Sequence, residues 1–165
     1  MTTLAELLID EDTVGLPIDP SAPGGLVDMY EAALADPDPA TALARLRGHG
    51  FVTGALRSWT DGVGIAQVTL HKFGSRRDAE LASLEQAHGI IASAGVAFDV
   101  DLGEPASFGA SIEDLTHQAD TPFVAHVVIR PVGNIMMLVL LGGPAFGPRD
   151  AVRLAGEQSA RLIDA

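Results

Sequence analysis

The sequence predicts one α+β domain whose mainly antiparallel sheet is built from two hairpins, about residues 51–73 and 122–142, flanked by helices. Three observations predict this fold. The candidate strands follow one another in pairs joined by short turns, whereas a parallel sheet needs long crossovers between its strands. Segments with helical spacing of apolar residues precede, separate and follow these pairs. Hydrophobic residues make up 47% of the 165 residues, enough for a single core.

Residues 1–25 are expected to form an N-terminal arm that wraps over a domain spanning residues 26–165. Leu4, Leu7 and Leu8 have the spacing of one short helical turn. The rest of the arm contains several prolines and glycines, which interrupt regular structure. No other division of the chain is indicated, and no internal repeat stands out.

Two helices are expected before the first hairpin. From Leu26 to Ala35 the apolar residues recur at helical spacing, and the proline-rich stretch 36–39 ends that helix. Asp38 then caps a second helix that has Pro39 at its first position, where the missing N–H costs nothing.

The first hairpin is predicted from Phe51 to Ser58 and from Val63 to Phe73. Asp61-Gly62 lies between the two strands, and this dipeptide is typical of a tight turn that needs a positive φ. Apolar and polar residues alternate along the second strand, so one of its faces should be buried and the other partly wet.

The longest helix is predicted to follow this hairpin. Ser75 caps it, Asp78 completes a capping box, and the helix runs to about Ser93. The next stretch, residues 96–121, is expected to hold one or two short strands and an exposed acidic loop around Glu113 and Asp114.

The second hairpin pairs Phe123–Arg130 with Gly133–Gly142. The stretch from Ile135 to Leu141 is apolar at every position, so this strand should be central in the sheet and covered on both faces. A closing helix is predicted to begin at Pro148. Its buried face is expected to consist of Ala151, Leu154, Ala155 and Leu162.

Composition excludes several functions. The 22 acidic and 10 basic residues give a formal charge of −12, which disfavours nucleic acids and anionic membranes as partners. Cysteine is absent, so thiolate metal sites and cysteine nucleophiles are excluded. No apolar run is long enough for a transmembrane segment, and no signal peptide is visible. The expected location is the cell envelope if an N-terminal export segment was trimmed, and the cytoplasm otherwise.

The sequence contains no motif for catalysis, and an enzyme is disfavoured without being excluded. No nucleophile elbow, phosphate-binding loop or dinucleotide fingerprint is present. The five histidines never fall at the close spacing of a metal-binding pair. We therefore predict no catalytic residue, no metal and no cofactor.

The best candidate site is an apolar pocket between the sheet and a helix, bordered by Phe123, Met136 and Leu138. Methionine in a core usually fills gaps, though it also lines adaptable apolar pockets. His71 and His126 lie in different predicted strands and could meet on one face. The ordinary interpretation is two half-buried histidines bonded to their neighbours, and the alternative is a pH-sensitive or ligand-contacting pair. Trp59, beside the first turn, either packs in the core or is exposed for recognition. The candidate ligand-binding residues are Trp59, His71, Phe123, His126, Met136 and Leu138.

Several short stretches resemble actinobacterial cell-envelope domains, many of them lipoproteins. Residues 50–59 follow the pattern G-F-x-x-G-x-x-R-x-W after a helix. A strand at Val68–Phe73 and a helix at Arg77–Ala92 come next, and Gln158 to Leu162 resembles the closing Q-x-x-R-L helix. The opening stretch from Leu7 to Asp12 is similar to the start of these domains. The chain departs from the pattern by lacking the lipid-bearing cysteine and the export segment.

The resemblance implies a PsbP/Mog1-like α+β fold, an antiparallel sheet flanked by helices, and a domain of unknown function. It also favours a non-enzymatic binding or sensing domain of the cell envelope, which contacts a small apolar molecule or a partner protein. One alternative is a cytoplasmic accessory protein or an enzyme with a ligand cavity and no recognisable catalytic motif. Another is a homo-oligomer.

Overall fold

The computed structural model describes residues 1–22, 24–93, 95–114 and 123–165. These residues form a seven-stranded sheet in which every neighbouring pair of strands is antiparallel. The strands are β1 (Gly25–Val27), β2 (Phe51–Thr60), β3 (Ile65–Phe73), β4 (Val96–Phe98), β5 (Phe108–Asp114), β6 (Phe123–Val132) and β7 (Ile135–Gly142). Their spatial order is β1-β2-β3-β7-β6-β5-β4. The predicted α+β class is confirmed.

Two of the described helices, α3 and α4, begin where the sequence predicts their caps. The described helices are a 3-10 turn (Leu4–Leu7), α1 (Glu11–Val14), α2 (Met29–Leu34), α3 (Pro39–Gly48), α4 (Arg76–Ala92) and α5 (Pro148–Ile163). Asp38 accepts a hydrogen bond from the backbone N–H of Thr41, and Ser75 accepts one from that of Asp78. Both predicted caps are confirmed, and each satisfies a backbone donor that the helix leaves free.

The two predicted hairpins meet at the centre of the sheet. β2 pairs with β3, β6 pairs with β7, and β3 and β7 lie side by side. β7 is therefore the fourth of seven strands, as its apolar residues on both faces predict. The first residue predicted for the second hairpin, Pro122, lies outside the described residues.

Helices cover both faces of the sheet. On one face α5 and the N-terminal residues pack against Val68, Met137 and Val139. On the other face α2, α3 and α4 pack against Val127, Ile129 and Met136. The four residues predicted to form the inner face of α5 are all buried: Ala151, Leu154, Ala155 and Leu162.

The N-terminal residues contribute to the first of these cores. Leu4, Leu8 and Ile9 are buried, and Ile18 forms an isolated bridge with Trp59. The division of the chain into an arm and a domain remains a prediction.

Two local predictions were wrong. The helix expected from Leu26 begins only at Met29, because Asp28 caps it in a box with Glu31 and the three residues before Asp28 pair with β2 as an edge strand. The acidic loop expected around Glu113 is part of β5, where Glu113 pairs with Val124. Register with β6 outweighs the low strand preference of an acidic side chain.

None of the helices in the described part of the chain combines the length and the apolar character that crossing a membrane requires.

Candidate ligand-binding site

A cavity of about 130 Å³ lies between the sheet and the helices α2, α3 and α4. The sheet forms its floor, and the helices with the α2–α3 connection form its roof. We call it the His71 cavity. Its lining residues are Ala32, Ala35, Asp36, Pro37, Arg45, Gln67, Thr69, His71, Gln86, Ile90, Ile112, Val127, Met136, Leu138 and Leu140.

The floor of the His71 cavity has a polar half and an apolar half. Alternate residues of β3 point into it, since side chains alternate between the two faces of a strand. Each polar residue of β3 lies directly opposite an apolar residue of β7. The three cross-strand pairs are Gln67 with Leu140, Thr69 with Leu138 and His71 with Met136. A molecule on this floor would therefore contact both chemistries at once.

His71 is a buried histidine without a hydrogen bond inside the protein. It is 5% exposed, and neither Nδ1 nor Nε2 has a partner among the described residues. The Phe51 ring packs against its edge, with 5.5 Å between ring centroids. Burial, and secondarily the positive charge of Arg45, lowers the pKa of His71 to about 4. At neutral pH the ring is uncharged and offers one donor and one acceptor.

Arg45 brings a buried positive charge to the same cavity. It is 7% exposed, and its Nη2 donates to Asp36 Oδ2 at 3.2 Å. Gln86 Nε2 donates to the same carboxylate oxygen at 3.4 Å. Arg45 Nε, in contrast, has no hydrogen-bond partner among the described residues. Buried polar atoms are usually paired, so His71 and Arg45 are both exceptions at one place.

Sequence reasoning found His71 but missed the other polar side chains described above, those of Asp36, Arg45 and Gln86. Arg45 lies on the buried face of α3, three residues after Ala42 and next to Leu46. A charge inside an apolar helical face was the available signal, since such residues are rarely buried without a partner. The contribution of Gln86 had no comparable signal.

The structure brings three of the six candidate site residues together. His71, Met136 and Leu138 line the cavity. Phe123 lies on the same face of the sheet, but its ring covers Gly142 and does not line the cavity. Trp59 and His126 lie on the opposite face, with the core under α5. His71 and His126 therefore do not meet, because their strand positions differ in parity relative to β7.

The surroundings of His126 and Trp59 indicate a role in the stability of the fold rather than in binding a ligand. Ser111 Oγ donates to His126 Nδ1 at 2.8 Å, because the other ring nitrogen, at 3.3 Å from the Phe146 carbonyl oxygen, must carry the proton. This agrees with the ordinary interpretation of His126 as a histidine bonded to its neighbours. Trp59 is 0% exposed and packs in the core, one of its two predicted alternatives.

A second, more open groove of about 550 Å³ runs between α4 and residues 104–108. Leu84 and His88 line it from α4, and Pro105 and Phe108 line it from the other side. Its residue Leu84 is an exposed apolar residue of α4 and is a candidate contact for a partner protein.

The acidic and histidine side chains form no cluster of three or more that could hold a metal ion within residues 1–22, 24–93, 95–114 and 123–165. His117 lies outside this range.

Fold and cavity together define an antiparallel α+β domain with a partly polar cavity under its helices. No protein-family profile matches the chain, and no curated protein matches it by sequence. Among solved structures, the extracellular domain of PknH from Mycobacterium tuberculosis is similar, with 13% identity and a TM-score of 0.65 over 98% of this chain and 95% of that chain. A structure from Bacteroides thetaiotaomicron is 15% identical over 62% of this chain and 37% of that chain, with a TM-score of 0.40.

The likeness to the PknH domain shows a shared fold. This fold therefore occurs in an extracellular domain of a Mycobacterium tuberculosis protein. The PsbP/Mog1-like assignment has no match among these comparisons and stays a prediction.

Proposed function

We propose that this chain is a non-enzymatic binding or sensing domain of the cell envelope, and that it holds a small, mainly apolar molecule in the His71 cavity. One observation carries the proposal. A buried histidine with two unpartnered nitrogens faces a cavity whose other side is formed by Met136 and Leu138. Leaving such polar atoms unpaired costs about 1–3 kcal/mol each, and a molecule with a polar group would recover that cost.

The envelope location rests on two independent similarities. Short stretches of the sequence resemble actinobacterial envelope domains, and the fold is shared with the extracellular domain of PknH. The second similarity says nothing about what that domain binds, so the cavity alone supports the ligand.

The chemistry of His71 supports binding rather than catalysis. A general base works best when its pKa lies near the operating pH. A histidine with a pKa of about 4 is a weak base at pH 7. Among the described residues that line the cavity, the one carboxylate is that of Asp36. It is engaged by Arg45 and Gln86, so it does not orient the ring as a catalytic partner would.

The test is a titration of the isotope-labelled full chain with a panel of small aromatic and alicyclic compounds, followed by NMR. We expect shifts confined to residues around the cavity, such as Ala32 and Gln86. Ala32→Leu places a larger side chain in the cavity and should abolish these shifts. Ala40→Leu, an exposed position on α3, is the matched control and should retain them.

Shifts that persist in Ala32→Leu, or no saturable shift with any compound, would contradict the proposal. Thermal unfolding of both variants must accompany the titration, so that loss of binding is not confused with loss of folding.

A protein partner is a second candidate, favoured by the outer face of α4. Leu81, Leu84 and Ile91 lie at helical spacing and are exposed, Leu84 by 57%. Leu84 also lines the groove at residues 104–108. Contiguous exposed apolar residues often mark interaction sites.

Sedimentation velocity over a wide concentration range tests whether that partner is a second copy of the chain. We expect self-association that Leu84→Glu abolishes. A monomer at every concentration would remove the homo-oligomer.

A further inference from the structure

If the His71 cavity binds a small molecule, as the proposed function states, its lining residues limit the chemical class of that molecule. Its charged lining residues are Asp36 and Arg45, one of each sign, and they pair with each other. His71 is the remaining titratable group of the lining, and it is neutral at pH 7. The part of the lining that the structure describes therefore carries no net charge. A charged ligand would be buried without a counter-charge, which is costly.

The volume of the cavity limits the size of the ligand. Pockets for drug-sized molecules usually have about 300–1,000 Å³. An engineered apolar cavity of about 150 Å³ accepts benzene. At about 130 Å³, the His71 cavity matches a molecule with a single small ring.

The arrangement of the floor adds a requirement for one polar group. Leu138 and Met136 form the apolar side, and Thr69 and His71 form the polar side directly across the strand pair. A hydroxyl group is both a donor and an acceptor, as is the neutral imidazole ring. The hydroxyl can therefore bond to either free nitrogen of His71, while the ring of the ligand lies on Met136 and Leu138.

We infer that the His71 cavity takes a small neutral ring compound with one hydroxyl group, a phenol or a cyclic alcohol, whose hydroxyl bonds to His71. An unsubstituted hydrocarbon leaves His71 unpaired. A carboxylate brings an unbalanced charge.

The experiment compares phenol, benzene and benzoate on the full chain at neutral pH, with dissociation constants from NMR titration. We expect phenol to bind about tenfold more tightly than benzene, the equivalent of one net hydrogen bond. Benzoate should bind more weakly than either. In His71→Leu the preference for phenol over benzene should disappear, while benzene still binds.

The outcomes separate this inference from the proposed function. Equal affinity for phenol and benzene, or a preference for benzoate, overturns the inference and leaves a cavity that binds small molecules. An unchanged phenol preference in His71→Leu also overturns it, since the hydroxyl would then bond elsewhere. Failure of all three compounds to bind, together with no response to the wider panel described above, contradicts the proposed function itself.

Discussion

The side chain of Gln158 holds the backbone of Ile9 across 149 residues of sequence. Its Oε1 accepts a hydrogen bond from the Ile9 N–H at 3.0 Å. Its Nε2 donates to the Leu7 carbonyl oxygen at 2.8 Å. Gln158 is 0% exposed, so a polar residue is buried on α5 specifically to pair with the N-terminal segment.

Replacing Gln158 with leucine should therefore destabilise the protein strongly. The substitution leaves two backbone groups at the edge of the core without partners, each costing about 1–3 kcal/mol. We expect a loss of about 3 kcal/mol in the free energy of unfolding, measured by urea denaturation. Glu157→Gln, at an exposed position on the same helix, should change it by less than about 0.5 kcal/mol. Equal effects of the two substitutions would show that the N-terminal segment is not held by Gln158.

Acid should destabilise the protein through His71. The pKa of this residue is about 4 in the folded protein, against 6.5 ordinarily, because burial penalises its charged form. The unfolded chain therefore binds more protons than the folded chain between these pH values. The contribution of His71 to the free energy of unfolding is therefore fully present above pH 6.5 and is lost as the pH falls toward 4. A shift of this size corresponds to about 3 kcal/mol.

His71→Gln isolates this contribution, because glutamine does not titrate and all other groups are shared. Urea unfolding at several pH values from 7 down to 4 should show a shallower loss of stability in the variant. Parallel curves for the two proteins would mean that His71 is not held neutral by its surroundings.

Ser111 should matter for stability and not for chemistry. Ser111→Ala removes the donor to His126 Nδ1, and we expect a loss of about 1 kcal/mol in the free energy of unfolding. A serine bonded to a histidine is also the arrangement of a nucleophile and its base. Hydrolysis of an activated ester should nevertheless be the same in the variant and the unmodified protein. An esterase activity that Ser111→Ala abolishes would favour the enzyme alternative.

The pairing of the central strands could be predicted because buried strands have a recognisable pattern of apolar residues in the sequence. The continuous apolar run at Ile135–Leu141 indicates a strand buried on both faces, and the structure places it at the centre. Local caps such as Ser75 were predictable for a similar reason, since a cap acts within three residues. The three residues of β1 are too few to show such a pattern. Their pairing with β2 depends on a partner far along the chain.

The candidate site was predictable only in part. Met136 and Leu138 could be predicted as site residues from the apolar pattern of β7. His71 could be predicted as a site residue because it lies on the partly polar face of β3. Whether two histidines share a face depends on the register between strands, and a shift of one residue reverses it. The pairing of Arg45 with Asp36 depends on how α3 packs over the sheet, which the spacing of residues on one helix does not determine.

Two glycine substitutions should act with opposite signs. A Cβ on Gly142 would lie 2.5 Å from Phe123 Cζ, so Gly142→Ala forces the Phe123 ring away from β7. We expect a cost of about 1 kcal/mol, the lower end for overpacked sites, because the atoms in the way belong to the tip of a half-buried ring.

Gly89 lies inside α4 and a Cβ there meets no atom within 4 Å. Gly89→Ala should therefore stabilise the protein by about 0.5–1 kcal/mol, because alanine loses less backbone freedom on folding. Urea unfolding of both variants tests the pair, and a stabilising Gly142→Ala would place the Phe123 ring elsewhere.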